Sequence, residues 1–222
     1  MLHFYYFISR KSSLSKVAFH NYWKDTHGPI AKEIPQLQRY IQSHQIPDVG
    51  FECGFDGVAE GWVENFSSLE ELRSSREYLS KALTDERNFI DRRRTDWLVT
   101  RDRVILDGPK FQGQVKNITL LRRKDGMSVK EFRDYWSEVH GPLACELPGI
   151  QRYVQSPTVD EAYTLGEPRW DGVAQWWTND LQSLKSLRAS KEFSVGARED
   201  AEKFLETSML LGFVANEIPI LE

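Results

Sequence analysis

Tyr22-Trp23-Lys24-Asp25-Thr26-His27-Gly28-Pro29 returns in the second half of the chain as Tyr135-Trp136-Ser137-Glu138-Val139-His140-Gly141-Pro142. Of five histidines, only His27 and His140 occupy matching places. Each follows a tryptophan by four residues, which sets imidazole and indole on one stripe of a helix. The Gly-Pro pair predicts a helix C-cap at Gly28 and Gly141. Each imidazole is then expected at a helix C-terminus, where the dipole favours the protonated ring.

Outward from that stretch the match continues. Ile34-Pro35 corresponds to Leu147-Pro148, and Gln38-Arg39-Tyr40-Ile41-Gln42-Ser43 to Gln151-Arg152-Tyr153-Val154-Gln155-Ser156. Asp56-Gly57-Val58-Ala59 returns as Asp171-Gly172-Val173-Ala174, Trp62 as Trp177, and Leu69, Leu72, Glu77 and Phe89 as Leu184, Leu187, Glu192 and Phe204. Two copies of this length mark a tandem duplication and not a solenoid. The repeats fall at 1–107 and 114–222, joined by a turn-rich stretch holding Gly108, Pro109 and Gly113.

Both repeats read alike. Strands are expected over 2–9 and 115–122. The first helix opens at Ser128 with Glu131 completing a capping box, and at Ser15 without one, because Ala18 stands third. Strands over 37–43 and 57–63 follow (150–156 and 172–178 in the copy), then a helix from Leu69 or Leu184. A last strand covers 98–105 or 213–220. The order β-α-β-β-α-β is the ferredoxin-like unit. The fold class is therefore α+β: two tandem ferredoxin-like repeats whose bare sheet faces are expected to close into an intramolecular barrel around a cavity.

With 222 residues, 40% hydrophobic and 28% charged, and a net charge of −4, the composition is that of a soluble globular protein. Arg92-Arg93-Arg94 reads as a solvated helix face, and without a basic stripe nucleic acid is not an expected partner. No apolar run reaches bilayer length and no leader-like segment precedes the first strand, so the expected location is the cytoplasm, away from membranes. Cys53 and Cys145 do not match between repeats and read as free thiols. No His-x-x-x-His or Cys-x-x-Cys spacing predicts a metal, and no Gly-rich fingerprint predicts a nucleotide.

The YW-x3-HGP stretch, the QRY strand with its trailing Gln-Ser and the DGVA strand with its tryptophan resemble the EthD family, a branch of the dimeric α+β barrel superfamily. The resemblance runs over nearly the whole chain, as two copies. It implies a pocket and a histidine. The superfamily's cofactor-free lyases, dehydratases, isomerases and monooxygenases imply an enzyme without a diffusible cofactor acting on an apolar or aromatic, oxygenated small molecule. Its haem proteins imply the alternative, a haem-binding or oxygen-using enzyme. A non-catalytic binding protein is a third reading, and a homo-oligomer of such pseudo-dimers is compatible with all three.

His140 and His27 are the candidate acid–base groups, since imidazole titrates near neutrality. The plainer reading has each ring capping carbonyls at the Gly-Pro turn. Tyr40 and Tyr153 share a strand face with Gln42 and Gln155. If that face is internal, phenol and amide orient a substrate carbonyl; otherwise they are buried and satisfied within the core. Arg39 and Arg152, on the other face, are expected to pair with helix carboxylates. Asp56 and Asp171 lie in phase with Trp62 and Trp177, opposite the small Gly57, Ala59 and Gly61 that suit close helix packing. Each Asp either orients a histidine or caps backbone amides at the strand start. Trp23, Trp136, Trp62 and Trp177 are the expected pocket walls. The phase Leu2, Phe4, Tyr6, Ile8 is expected to face inward, with Tyr5 and Phe7 meeting the helices. The corresponding phase in the copy holds Asn117 and Thr119, which points to the second repeat, around His140, as the site for a polar reacting group. Loops 44–55 and 157–170, the latter with Tyr163 and Trp170, are expected to shape the cavity mouth.

Overall fold

The computed structural model describes residues 1–49 and 54–222. In the first repeat β1 (Leu2–Ile8) leads to α1 (Lys16–Tyr22), a π-helical segment (Trp23–His27) and α2 (Gly28–Ala31). Strands β2 (Arg39–Gln45) and β3 (Gly57–Val63) follow, then α3 (Phe66–Ser74), a second π segment (Glu77–Ala82), α4 (Leu83–Phe89) and β4 (Asp96–Thr100). After β5 (Arg103–Leu106) the second repeat runs β6 (Val115–Leu121), α5 (Val129–Asp134), a π segment (Tyr135–His140), α6 (Gly141–Cys145) and β7 (Ile150–Pro157). It ends with α7 (Asp160–Thr164), β8 (Gly172–Thr178), α8 (Leu181–Ala189), a π segment (Glu192–Ala197), α9 (Arg198–Ala201) and β9 (Leu211–Leu221).

The chain forms two compact units. Unit 1 holds residues 1–47, 54–99 and 217–222, and unit 2 the rest of the described chain. In unit 1 the strand order is β4-β1-β3-β2, and in unit 2 it is β9-β6-β8-β7 with β5 added beside β7. The order 4-1-3-2 is the ferredoxin-like one, so both units are α+β as expected. The single last strand expected over 98–105 is divided into β4 and β5. No helix among the described residues is long and apolar enough to cross a membrane.

Helix starts follow the capping residues. Ser15 accepts from the Ala18 amide, Ser128 and Glu131 form the full capping box, and Asn65 and Asp180 cap the second helices. Helix ends do not. Gly28 and Gly141 keep right-handed helical angles, and the helix runs on through the Gly-Pro pair. Pro29 and Pro142 have no N–H for the carbonyl four residues back. Instead the Gly28 and Gly141 amides reach back five residues, to the carbonyls of Trp23 and Trp136. The helix widens by one residue and continues, so neither histidine sits at a C-terminus. Arg92-Arg93-Arg94 lies in a turn after α4, with Arg93 on Asp91 at 3.1 Å.

The small residues of β3 do face the helices. The Trp136 ring lies against Gly172 so closely that a Cβ there would come within 2.8 Å of it, and Trp23 lies on Gly57 in the same way. The phase expected for β1 is reversed. Opposed residues of an antiparallel pair share a face, and Phe4, Tyr6 and Ile8 oppose Gly61, Ala59 and Gly57. Phe4, Tyr6 and Ile8 are thus helix-side, while His3, Tyr5 and Phe7 share the other face with Trp62, Glu60 and Val58. Asn117 and Thr119 likewise oppose Trp176 and Ala174 on the helix side. Beneath the helices lie Phe19, Trp23 and Phe89 in unit 1, and Leu121, Phe132, Trp136, Phe204 and Leu205 in unit 2.

Candidate active site

The first π segment of each unit ends on a histidine held by an aspartate from the unit's later helical run. His27 Nδ1 lies 2.9 Å from Asp85 Oδ2 in α4, and His140 Nδ1 lies 2.9 Å from Asp200 Oδ2 in α9. Tyr22 donates to Asp85 Oδ1 at 2.6 Å and Tyr135 to Asp200 Oδ1 at 2.7 Å. Tyr, Asp and His thus form the same relay in both units, resting on Phe89 or Phe204 at ring distances of 4.8 and 4.9 Å.

The carboxylate fixes the tautomer. An ionised Asp only accepts, so Nδ1 carries the hydrogen and Nε2 the lone pair. Neither Nε2 has a hydrogen-bond partner among the described residues, and neither is sealed from solvent, although the side chains are only 8% and 12% exposed. Burial pushes both imidazoles below their usual value, against the pull of the Asp hydrogen bond and charge. This reverses the direction expected from a helix C-terminus, which the continuing helix removes. Burial would raise the two carboxyls. Their donors outweigh it and hold both below the ordinary value: Tyr22, His27 and Asn88 for Asp85, and Tyr135, His140 and Lys203 for Asp200.

The other predicted residues are placed as follows. Trp23 Nε1 donates to the Tyr40 hydroxyl at 3.2 Å, and Trp136 Nε1 to that of Tyr153 at 2.9 Å. Gln42 and Gln155 donate to the carbonyls of Trp23 and Trp136, at 2.9 and 2.6 Å. These groups are buried between sheet and helix, and burial drives both phenols up to about 12. They follow the core reading, locking the first π segment of each unit to the sheet, although Gln155 Oε1 is buried without a hydrogen-bond partner among the described residues. Asn117 holds Thr119 at 3.0 Å and receives Arg188 at 3.1 Å, again on the helix side.

Asp56 and Asp171 accept the backbone amides of Arg10 and Arg123, each at 2.8 Å, and Asp171 also takes the Tyr163 hydroxyl at 2.7 Å. They cap strand starts; Asp85 and Asp200 orient the histidines. Trp62 stacks on His3 at 3.7 Å with Arg39 over it at 4.6 Å. Trp177 faces Lys116 at 5.0 Å, and Arg152 pairs with Asp107. So Arg39 covers an aromatic ring and Arg152 a linker carboxylate, where helix carboxylates were expected. The 157–170 segment contains α7 and a buried Trp170, while part of the 44–55 loop, with Cys53, lies outside the described residues. Cys145 is a free thiol.

Sequence reasoning missed Asp85 and Asp200, Tyr22 and Tyr135 as their donors, and a buried pair away from the helices. In that pair His3 lies 3.6 Å from Glu60, which also accepts from Ser43. The available signal was that, besides Asp56 and Asp171, Asp85 and Asp200 are an aspartate recurring in register, four residues before Phe89 and Phe204. Among the described residues no group of three or more His, Cys, Asp or Glu could hold a metal ion.

No curated protein matches the chain. Solved structures share the fold at low identity. An anthrone oxidase-like protein is 8% identical with TM-score 0.67, over 100% of this chain and 93% of that one. Chlorite dismutase from Candidatus Nitrospira defluvii is 9% identical with TM-score 0.53, over 97% and 90%. An ethyl tert-butyl ether degradation (EthD) family protein from Bacillus halodurans C-125 is 22% identical with TM-score 0.40, over 47% of this chain and 99% of that one. The EthD domain model matches residues 11–93 and again 124–208, so the chain belongs to the EthD family and carries its domain twice.

Proposed function

We propose that the protein is a small-molecule enzyme in which an Asp-held imidazole takes a proton from an apolar or aromatic, oxygenated substrate, as in lyase, dehydratase or isomerase chemistry. One observation carries this reading: in both units the carboxylate engages Nδ1 and leaves Nε2 open and unpartnered. An imidazole in that state is a general base near neutral pH. The Asp then compensates the imidazolium formed when Nε2 accepts a proton, and Tyr22 or Tyr135 keeps the Asp in place.

A haem-binding or oxygen-using enzyme is the second reading, and a Soret band in the purified protein tests it. A thermal-shift screen of hydroxylated and carbonyl aromatics, followed by product analysis of the hits, tests the proposal. Turnover lost in a His27→Ala/His140→Ala double variant, with ligand stabilisation retained, is the expected result. Undiminished turnover in that variant contradicts it.

A further inference from the structure

The two relays agree in Tyr, Asp, His and Phe, and differ in what stands behind the carboxylate. In unit 1, Asn88 Nδ2 donates to Asp85 Oδ1 at 2.9 Å and to the Tyr22 hydroxyl at 3.1 Å. In unit 2 the corresponding residue is Lys203, whose ammonium lies 3.1 Å from Asp200 Oδ1. A neutral amide leaves Asp85 its full charge. An ammonium at contact distance neutralises part of that of Asp200, and the imidazolium of His140 loses that part of its compensation.

The next residue along the helix points the same way. Beside Asp85 stands Glu86, 6% exposed, hydrogen-bonded to Tyr6 and 3.9 Å from Arg92. Unit 2 has Ala201 there. Glu86 adds negative charge behind the unit 1 relay as it ionises. The charged group acting directly on each ring is Asp85 for His27 and Asp200 for His140; Glu86, itself beside Arg92, acts on Asp85, and Lys203 acts on Asp200.

We propose that Lys203 divides the work between the repeats: His27 is the proton-accepting base of the chain at neutral pH, and His140 is held back as the weaker base. The assignment rests on the imidazole-base reading above. A proton passes from substrate to His27 Nε2, the imidazolium pairs with Asp85, and the proton then leaves to product or water, so no other reactant is needed. The argument that favoured His140, a polar inner face made by Asn117 and Thr119, does not apply, because both lie on the helix side.

The test is a pH titration of the full chain labelled with 15N-histidine, with His27→Gln and His140→Gln supplying the assignments. Because Lys203 is 64% exposed and screened, the expected separation is modest, with His140 at least about half a pH unit below His27. Lys203→Asn should raise His140 toward His27, Lys203→Arg should not, and Asn88→Lys should lower His27. Coinciding titrations, or a His140 unmoved by Lys203→Asn, overturn the inference. Unequal titrations in a protein whose double histidine variant keeps full turnover would instead sink the enzymatic reading and leave the electrostatic one standing.

Discussion

Asp200 Oδ2 stands 2.9 Å from His140 Nδ1, and Asp85 Oδ2 stands 2.9 Å from His27 Nδ1, although the partners are separated by 60 residues in one repeat and 58 in the other. The bond ties the first helix of each unit to the second. It selects the tautomer that leaves Nε2 basic, so one contact serves both packing and chemistry.

Removing the carboxylate charge should therefore separate the two. Asp200→Asn keeps the shape, so the fold should survive at a cost of about 1–3 kcal/mol for the weakened buried hydrogen bonds. The His140 tautomer should nevertheless become mixed. Urea denaturation reads the first effect and 15N chemical shifts the second; an unchanged tautomer would mean that Asp200 does not set it.

Gly172 has to be glycine because the indole of Trp136 and the Ser156 carbonyl occupy its Cβ space, at 2.8 and 2.9 Å. Gly172→Ala should lower stability by about 1–3 kcal/mol through overpacking. Neither an indole locked to Tyr153 nor a strand carbonyl can easily yield. Thermal unfolding followed by circular dichroism decides this, and a melting temperature equal to the wild type would show that the contact is looser than described.

Unit 1 carries an acid-sensitive pair that unit 2 lacks. His44 stacks on Trp23 at 4.4 Å and lies 4.7 Å from His20, and burial pushes them down to about 3 and about 4. Their depressed values favour the neutral rings in the fold. That stability is complete above the ordinary value of 6.5 and drains away as pH falls toward 4 and 3. Residues 133 and 157, their counterparts, are Arg and Pro. His44→Phe should flatten the loss of stability between pH 6.5 and 4.5, and denaturation curves at both pH values measure it. An unaltered slope would exclude His44 as the cause.

Glu86 runs the opposite way. Burial raises it from 4.5 to about 7, so the protonated form is favoured in the fold. Its contribution is complete below 4.5 and lost as pH rises through 7. Glu86→Gln should remove the decline in stability between pH 4.5 and 7. A decline of the same size in the variant would place its origin elsewhere.

Much of this fold was legible in the chain. The recurrence of matched residues gave the duplication and the order of strands and helices, and the N-caps Ser15 and Ser128 were readable because a cap depends on neighbours close in sequence. The β1 face was not legible, because Leu2, Phe4, Tyr6 and Ile8 are as apolar as Tyr5 and Phe7. The deciding fact lies across the sheet: large side chains fill the space over Gly57, Ala59 and Gly61. The helix stop at Gly-Pro failed because a five-residue hydrogen bond to Trp23 or Trp136 absorbs the proline. For Asp56 and Asp171 the sequence offered two roles, orienting a histidine or capping backbone amides, and the structure shows the capping one. The histidines' partners sit on helices whose facing is set by packing between elements far apart in the chain.

The proposed chemistry depends on which nitrogen of His27 and His140 carries the hydrogen at neutral pH. A long-range 15N–1H correlation spectrum of the histidine-labelled protein reads this directly. Hydrogen on Nδ1 with an unprotonated, solvent-responsive Nε2 in both rings is the predicted result; hydrogen on Nε2 would leave neither imidazole able to accept a proton from substrate and would contradict it.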